Sequence, residues 1–210
     1  MSKTETVVEI VTKDGIELEA RMCRGTLLEG AVLCHPHSLY GGTMDNNVVL
    51  AARDALEECG FSTLRFNFRG VGRSEGSFGN GDGESLDVAS ACKFLKSELG
   101  LDKIHVAAYS FGSWVSLKAI TSGLQVASVA LIAPPISFSD FGELSLPHAP
   151  SLIALGDTDE FCSQSDLDGW LKRQSTDGPS HRKVVFQNTD HFFYGKEAPL
   201  KEALIAFFSK

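Results

Sequence analysis

The sequence lacks most of the features that assign a chain to a special class. Its five cysteines, Cys23, Cys34, Cys59, Cys92 and Cys162, are odd in number, widely spaced and never form C-x-x-C. This argues against a disulfide framework and fits reduced thiols inside a cell. No apolar run approaches the roughly 18 residues a membrane span requires. The opening stretch, MSKTETVVEIVTKDG, alternates charged with apolar residues and has no apolar centre of the signal-peptide kind. A basic run is missing too. Nineteen Lys and Arg are scattered among 27 Asp and Glu, for a net charge of −8, which argues against a nucleic-acid surface. There is no internal repeat and no interdomain linker. The expectation is a cytoplasmic protein with no membrane or nucleic-acid partner, folded as one domain over residues 1–210.

What is present reads as an alternation of strands and helices. Hydrophobic residues make up 43% and charged residues 22% of the chain, ordinary for a globular core. Residues 6–12 and 16–24 alternate in polarity around Asp14-Gly15, a hairpin signal. Short apolar runs at 31–34, 61–66, 104–108, 126–133, 152–155 and 183–186 read as strands. Helical spacing marks 47–59, 86–99, 113–119, 164–174 and about 199–208, and glycines follow the first two of these, at Gly60 and Gly100. The glycine-rich segment 67–84 reads as a loop. An antiparallel hairpin followed by such alternation implies an α/β fold, a doubly wound and mostly parallel sheet covered by helices on both faces. In sheets of this kind, ligands bind beyond the carboxyl ends of the strands.

At one such end stands Ala108-Tyr109-Ser110-Phe111-Gly112. A serine on a sharp strand-to-helix turn is held in a strained conformation with its hydroxyl raised out of the sheet. The positions two residues to either side must be small, and here they are Ala108 and Gly112. The pentapeptide alone is weak, because a serine before a helix is also a common N-cap. A nucleophilic serine needs a base, and the base an orienting acid. On sheets of this topology the acid and then the histidine follow the serine in the chain. His148, His181 and His191 follow Ser110. His148 precedes the best acid, and His181 belongs at the wrong end of the last strand. His191, on the loop after that strand, is the expected base. For the acid, Asp159 in Gly156-Asp157-Thr158-Asp159 is favoured, Asp157 is the alternative, and Asp140 stands third. Two backbone donors must meet a developing oxyanion. Phe111 N–H supplies one. Pro36 has no N–H, so His37 N–H is the expected second.

Other motifs carry less. His35-Pro36-His37 could suggest a metal pair, but no close-spaced ligand follows it. Gly70-Val71-Gly72-Arg73-Ser74-Glu75-Gly76 lacks Gly-Lys-Ser/Thr and fails G-x-G-x-x-G, so it reads as turns. Neither a metal nor a cofactor is expected.

The chain resembles the α/β-hydrolases, specifically the small cap-less ones of the dienelactone-hydrolase-like group. The resemblance lies in His35-Pro36-His37 with Gly41 to Asn46, Leu64 to Gly72 with Ser74 and Gly76, Tyr109-Ser110-Phe111-Gly112, and Asp190-His191-Phe192-Phe193. It implies a Ser–Asp–His triad on Ser110, Asp159 and His191. Ala108 departs from the usual first elbow glycine, and Ser38 stands where relatives often carry a second proline. Residues 134–151 are too few for the lid domain that capped relatives insert there. Phe138, Phe141, Leu144 and Leu146 are expected to form a low rim, with Phe192, Phe193 and Tyr194 as a wall. Ser38, Phe138 and Phe192 are the expected lining residues of a shallow site. The resemblance implies a serine hydrolase for an ester or thioester of a small acyl substrate. The alternatives are an inactive binding module of the same fold, or a peptidase with an amine- or carboxylate-binding subsite.

Overall fold

A computed structural model of the chain describes residues 4–174 and 181–209. Its centre is an eight-stranded sheet, in chain order β1 (Thr6–Val11), β2 (Glu17–Cys23), β3 (Glu29–Cys34), β4 (Ser62–Phe66), β5 (Lys103–Tyr109), β6 (Ser128–Ile132), β7 (Ser151–Gly156) and β8 (His181–Phe186). The spatial order is β1-β2-β4-β3-β5-β6-β7-β8. β2 runs antiparallel to both β1 and β4, and every other pairing is parallel. The expected hairpin is present, turning through Gly15 at φ 84°.

Among the described residues, five α-helices cover the sheet: α1 (Asn47–Glu58), α2 (Asp82–Leu99), α3 (Phe111–Thr121), α4 (Gln164–Leu171) and α5 (Glu197–Phe208). The inner strands β3 to β7 are buried on both faces, which is why they read as continuous apolar runs. On one face, α1 and α5 pack Val48, Ala52, Leu56, Leu200 and Leu204 onto Ala31, Leu33 and Ala107. On the other, α2, α3 and α4 bring Val88, Val115 and Trp170 onto Val32, Val106 and Leu131. Alternate residues of one strand therefore serve two separate apolar layers.

Most boundaries fall within two residues of the sequence reading, and those of α2 and α4 shift further. α2 begins at Asp82 rather than Leu86, inside the glycine-rich segment. The Glu84 carboxylate accepts the N–H groups of Gly79 and Gly81 at 2.8 Å and so starts the helix. Gly83 is tolerated there because a Cβ would lie 2.7 Å from the Arg69 side chain. α4 stops at Leu171, three residues early, and β6 is trimmed to Ser128–Ile132.

Between β6 and β7 the chain makes only turns. The rim expected there needs correcting. Phe141 is buried against Trp170, whose indole N–H donates to the Phe141 carbonyl at 3.2 Å. Leu144 and Leu146 pack onto the same apolar cluster. Spacing alone could not separate rim from core in a segment without regular structure. Phe138 is the one of the four that stays exposed.

Candidate active site

β3 occupies the middle of the sheet, and the chain leaves it first for β4 on one side, later for β5 on the other. The loops after β3 and β5 therefore diverge and leave a crevice at this switch point. Ser110 stands over it, at the end of β5.

The backbone of Ser110 has φ 53° and ψ −121°, outside the regions open to most residues. Such strain typically costs about 1–3 kcal/mol and persists only where the surroundings fix it. Here Ser110 N–H donates to the Ile132 carbonyl at 2.8 Å, and its own carbonyl accepts Ser113 N–H at 2.8 Å. Ser113 Oγ in turn donates to the Ala108 carbonyl at 2.7 Å. Gly112 is required, since a Cβ there would lie 2.7 Å from the carbonyl oxygens of both Cys34 and His35. Ala108 sits in the core without distorting the turn.

The turn delivers the Ser110 hydroxyl to His191, with Oγ 2.8 Å from Nε2. On the other side of the imidazole, Nδ1 lies 3.0 and 2.9 Å from the two carboxylate oxygens of Asp159. A ring nitrogen facing a carboxylate carries the proton, so Nε2 is left as the acceptor for the serine O–H. Asp159 is fixed in its turn: Oδ1 accepts Phe161 N–H at 2.8 Å and Cys162 N–H at 3.2 Å. All three residues are buried, Ser110 at 7%, Asp159 at 7% and His191 at 5% exposure, so water barely screens the relay.

The rival carboxylates do other work. Asp157 Oδ1 accepts Thr189 N–H at 3.0 Å, while Asp157 N–H donates to the Phe186 carbonyl and Thr158 N–H to the Thr189 carbonyl. These bonds zip the loop after β7 to the loop that carries His191. Backbone donors at Thr189 and Asn188 hold the Asp157 carboxyl below its usual range. Gly156 permits this closeness, because a Cβ would come 2.1 Å from the Thr189 carbonyl. Asp140 closes its own turn onto Gly142 N–H at 2.8 Å.

The β3 loop is equally constrained. His35 is fully buried, and its Nε2 accepts Phe68 N–H at 3.0 Å. Nδ1 must then donate to the Pro36 carbonyl at 2.7 Å. Burial pushes its pKa down to about 4. Both ring nitrogens are thus committed to tying the β3 loop to the exit of β4. His37 caps the short 3-10 turn Ser38–Tyr40 through Nδ1, which accepts Leu39 N–H at 3.2 Å. Its ring packs 4.7 Å from Phe111, and burial lowers its pKa as well. Among the described residues, no acceptor takes the N–H of His37 or of Phe111. Ser38 Oγ is buried and has no partner among the described residues.

The structure also places side chains that the sequence reading missed. Tyr109, one residue before the serine, donates its hydroxyl to the His191 carbonyl at 3.0 Å. Burial pushes its phenol upward, with the Asp159 charge adding to the shift. Phe161 lies with its ring centroid 4.5 Å from that of His191, and Phe138 packs on Phe161 at 5.6 Å. Asn47 Nδ2 donates to the Phe192 carbonyl at 3.2 Å and to Glu197 at 2.9 Å, clamping the same loop from α1. Phe192 meets the His191 ring edge-on at 5.6 Å. Phe193 is not part of a wall: at φ 56° it turns inward and is fully buried beside Phe186.

The chain is similar in sequence and fold to known proteins. Residues 32–149 match the family model described as alpha/beta hydrolase fold. An uncharacterised protein of Rickettsia prowazekii is 33% identical over 181 residues, spanning 83% of this chain and 76% of its own length. A structure described as an alpha-beta serine hydrolase homologue from Coxiella burnetii superposes with a TM-score of 0.86 at 33% identity, covering 98% of this chain and 97% of that one. A Xanthomonas campestris protein, described as a serine hydrolase without a lid, also gives 0.86, at 32% identity and over 97% and 93% of the two chains. The family match ends before β7, so Asp159 and His191 are placed by the geometry alone. The chain belongs to the α/β-hydrolase fold family, as one of its small members without a cap domain.

Proposed function

We propose that this protein is a serine hydrolase that cleaves a carboxylic ester or thioester of a small acyl substrate. The observation that carries the proposal is the continuous relay from Ser110 Oγ through His191 to Asp159, with the serine on a strained turn and all three side chains shielded from water. As Ser110 Oγ attacks the carbonyl carbon, its proton passes to His191 Nε2. Asp159 holds the tautomer that can accept the proton and stabilises the imidazolium.

The carbonyl oxygen becomes an oxyanion between the N–H groups of Phe111 and His37. Phe111 opens an eleven-residue helix, so its N–H points where negative charge is favoured. The tetrahedral carbon then expels the alcohol or thiol, which takes the proton from His191. Water repeats the sequence in reverse on the acyl-serine and releases the acid. No step requires a metal or an organic cofactor.

The test is hydrolysis of short p-nitrophenyl esters by Ser110→Ala. Loss of the nucleophile lowers kcat by about 10⁶-fold where serine and histidine act as a unit. A Ser110→Ala protein that matched the parent would refute the assignment.

A further inference from the structure

The rim of the site has a chemical character that narrows the substrate. Ten large apolar side chains are exposed on the described surface, and five of them, Leu39, Tyr40, Phe138, Phe192 and Tyr194, lie on loops that leave the carboxyl ends of β3, β6 and β8. These are the loops that surround Ser110. Several of the rings are organised: Phe192 stacks parallel to Tyr194 at 6.0 Å, and Phe138 stands edge-on to Phe161, which covers His191. Tyr40 packs against His37 at 4.7 Å. Flat apolar surface therefore borders the reacting atoms on the β3, β7 and β8 sides.

The charge around these rings is predominantly negative. The five loops at this edge (residues 35–46, 67–81, 133–150, 157–163 and 187–196) carry eight carboxylates against three cations. Two of the three cations are paired with carboxylates and the third with a backbone carbonyl. Arg69 is locked onto Asp87 and Asp14, Arg73 pairs with Glu19, and Lys196 donates to the Gln187 carbonyl. Lys118, one helix turn beyond Trp114, is held by Asp82. By contrast, Glu160 and Asp190 are exposed on the residues adjacent to Asp159 and His191. Both lie near enough to the Tyr109 hydroxyl to oppose its ionisation. A negatively charged substrate approaching this site meets more negative than positive charge.

Resting on the hydrolase reading above, we infer that the substrate is an uncharged ester bearing a flat apolar group, and that the site rejects anionic acyl donors such as acyl-phosphopantetheine and coenzyme A thioesters. The ring surfaces of Phe138, Phe161 and Phe192 take the aryl group, and the acidic rim acts as the filter. Electrostatic attraction or repulsion at a charged cleft changes association by about ten-fold or more at low salt.

The experiment compares kcat/KM for benzyl acetate, butyl acetate, benzyl hemisuccinate and acetyl-coenzyme A. The two neutral acetates have leaving alcohols of similar reactivity, so their ratio reads the aromatic contact. At an ionic strength of about 0.01 M, where charges act over about 30 Å, benzyl acetate is expected to exceed each of the other three by about ten-fold or more. Raising the salt to about 1 M shrinks the range of charge to about 3 Å, so the gap to the hemisuccinate narrows while the gap to butyl acetate stays. Phe192→Ala lowers the benzyl-to-butyl ratio, and Glu160→Gln lowers the benzyl acetate-to-hemisuccinate ratio. The salt series gives the second answer without any variant that must fold. Equal turnover of benzyl and butyl acetate, or of acetyl-coenzyme A and benzyl acetate at low salt, overturns the inference while Ser110-dependent hydrolysis stands. If no ester reacts and a fluorophosphonate leaves Ser110 unlabelled, the hydrolase reading fails and takes the inference with it.

Discussion

Asp159→Asn separates the chemistry of the site from its architecture. In the native arrangement Asp159 Oδ1 accepts two backbone N–H groups, from Phe161 and Cys162, while both carboxylate oxygens face His191 Nδ1. Asparagine keeps the two backbone bonds through its carbonyl oxygen, so the β7 loop stays in place. Its NH₂ group then faces His191 and donates to Nδ1. That moves the ring proton to Nε2, where it points at Ser110 Oγ, and the base cannot accept the serine proton. Wrong-tautomer variants of such relays lose about 10⁴-fold in kcat, which corresponds to about 5.4 kcal/mol at 1.36 kcal/mol per decade. The assay is ester hydrolysis at saturating substrate, with urea unfolding to show that stability is retained. Asp157→Asn is the control. It weakens the bond to Thr189 N–H and lowers the thermal midpoint, but it leaves the tautomer alone and keeps kcat within about ten-fold of the parent. If Asp159→Asn stays within ten-fold of the parent, or Asp157→Asn is the more damaging change, the assignment of the two carboxylates is wrong.

Three further outcomes are expected. Tyr109→Phe leaves the buried His191 carbonyl without its donor, at about 1–3 kcal/mol of stability. It also loosens the base and lowers kcat more than it changes KM, which urea unfolding and steady-state kinetics check together. Gly112→Ala drives a methyl group into two carbonyl oxygens at 2.7 Å. Overpacking of this kind costs about 1–3 kcal/mol, and the displaced elbow abolishes esterase activity at a pH and temperature where circular dichroism still reports a folded chain. His35 is buried neutral with its pKa depressed to about 4 from the usual 6.5. The unfolded chain therefore binds this proton first, and the stability present above pH 6.5 is lost as the pH falls toward 4, by roughly 3 kcal/mol. His35→Gln flattens this part of the urea midpoint-versus-pH curve, and an unchanged slope would contradict the assigned environment.

The parts of the fold that follow local rules were readable from residue order. Continuous apolar runs gave the buried strands, Asp14-Gly15 the hairpin turn, and Ala108-x-Ser110-x-Gly112 the elbow, because each is dictated by sterics within a few residues. Chain order then selected Ser110 and His191. The choice between Asp157 and Asp159 was harder. They differ by two positions on one loop, and only the cross-loop bond from Thr189 N–H to Asp157 shows that this carboxylate is already occupied. Tyr109, Phe161 and Asn47 were invisible for a related reason. Each acts on the His191 loop from an element distant in the chain, and nothing local distinguishes Tyr109 from any other buried strand residue. The start of α2 was missed because Glu84 offsets the glycines around it by accepting the N–H groups of Gly79 and Gly81 just ahead of the helix.

The most direct measurement is reaction with a fluorophosphonate followed by mass-spectrometric mapping of the adduct. The account requires one phosphonyl group per chain, on Ser110 Oγ, and strongly slowed labelling in His191→Ala, because the hydroxyl reacts only when the imidazole takes its proton. A folded parent protein that stays unlabelled, or that carries the adduct on another serine, would contradict it.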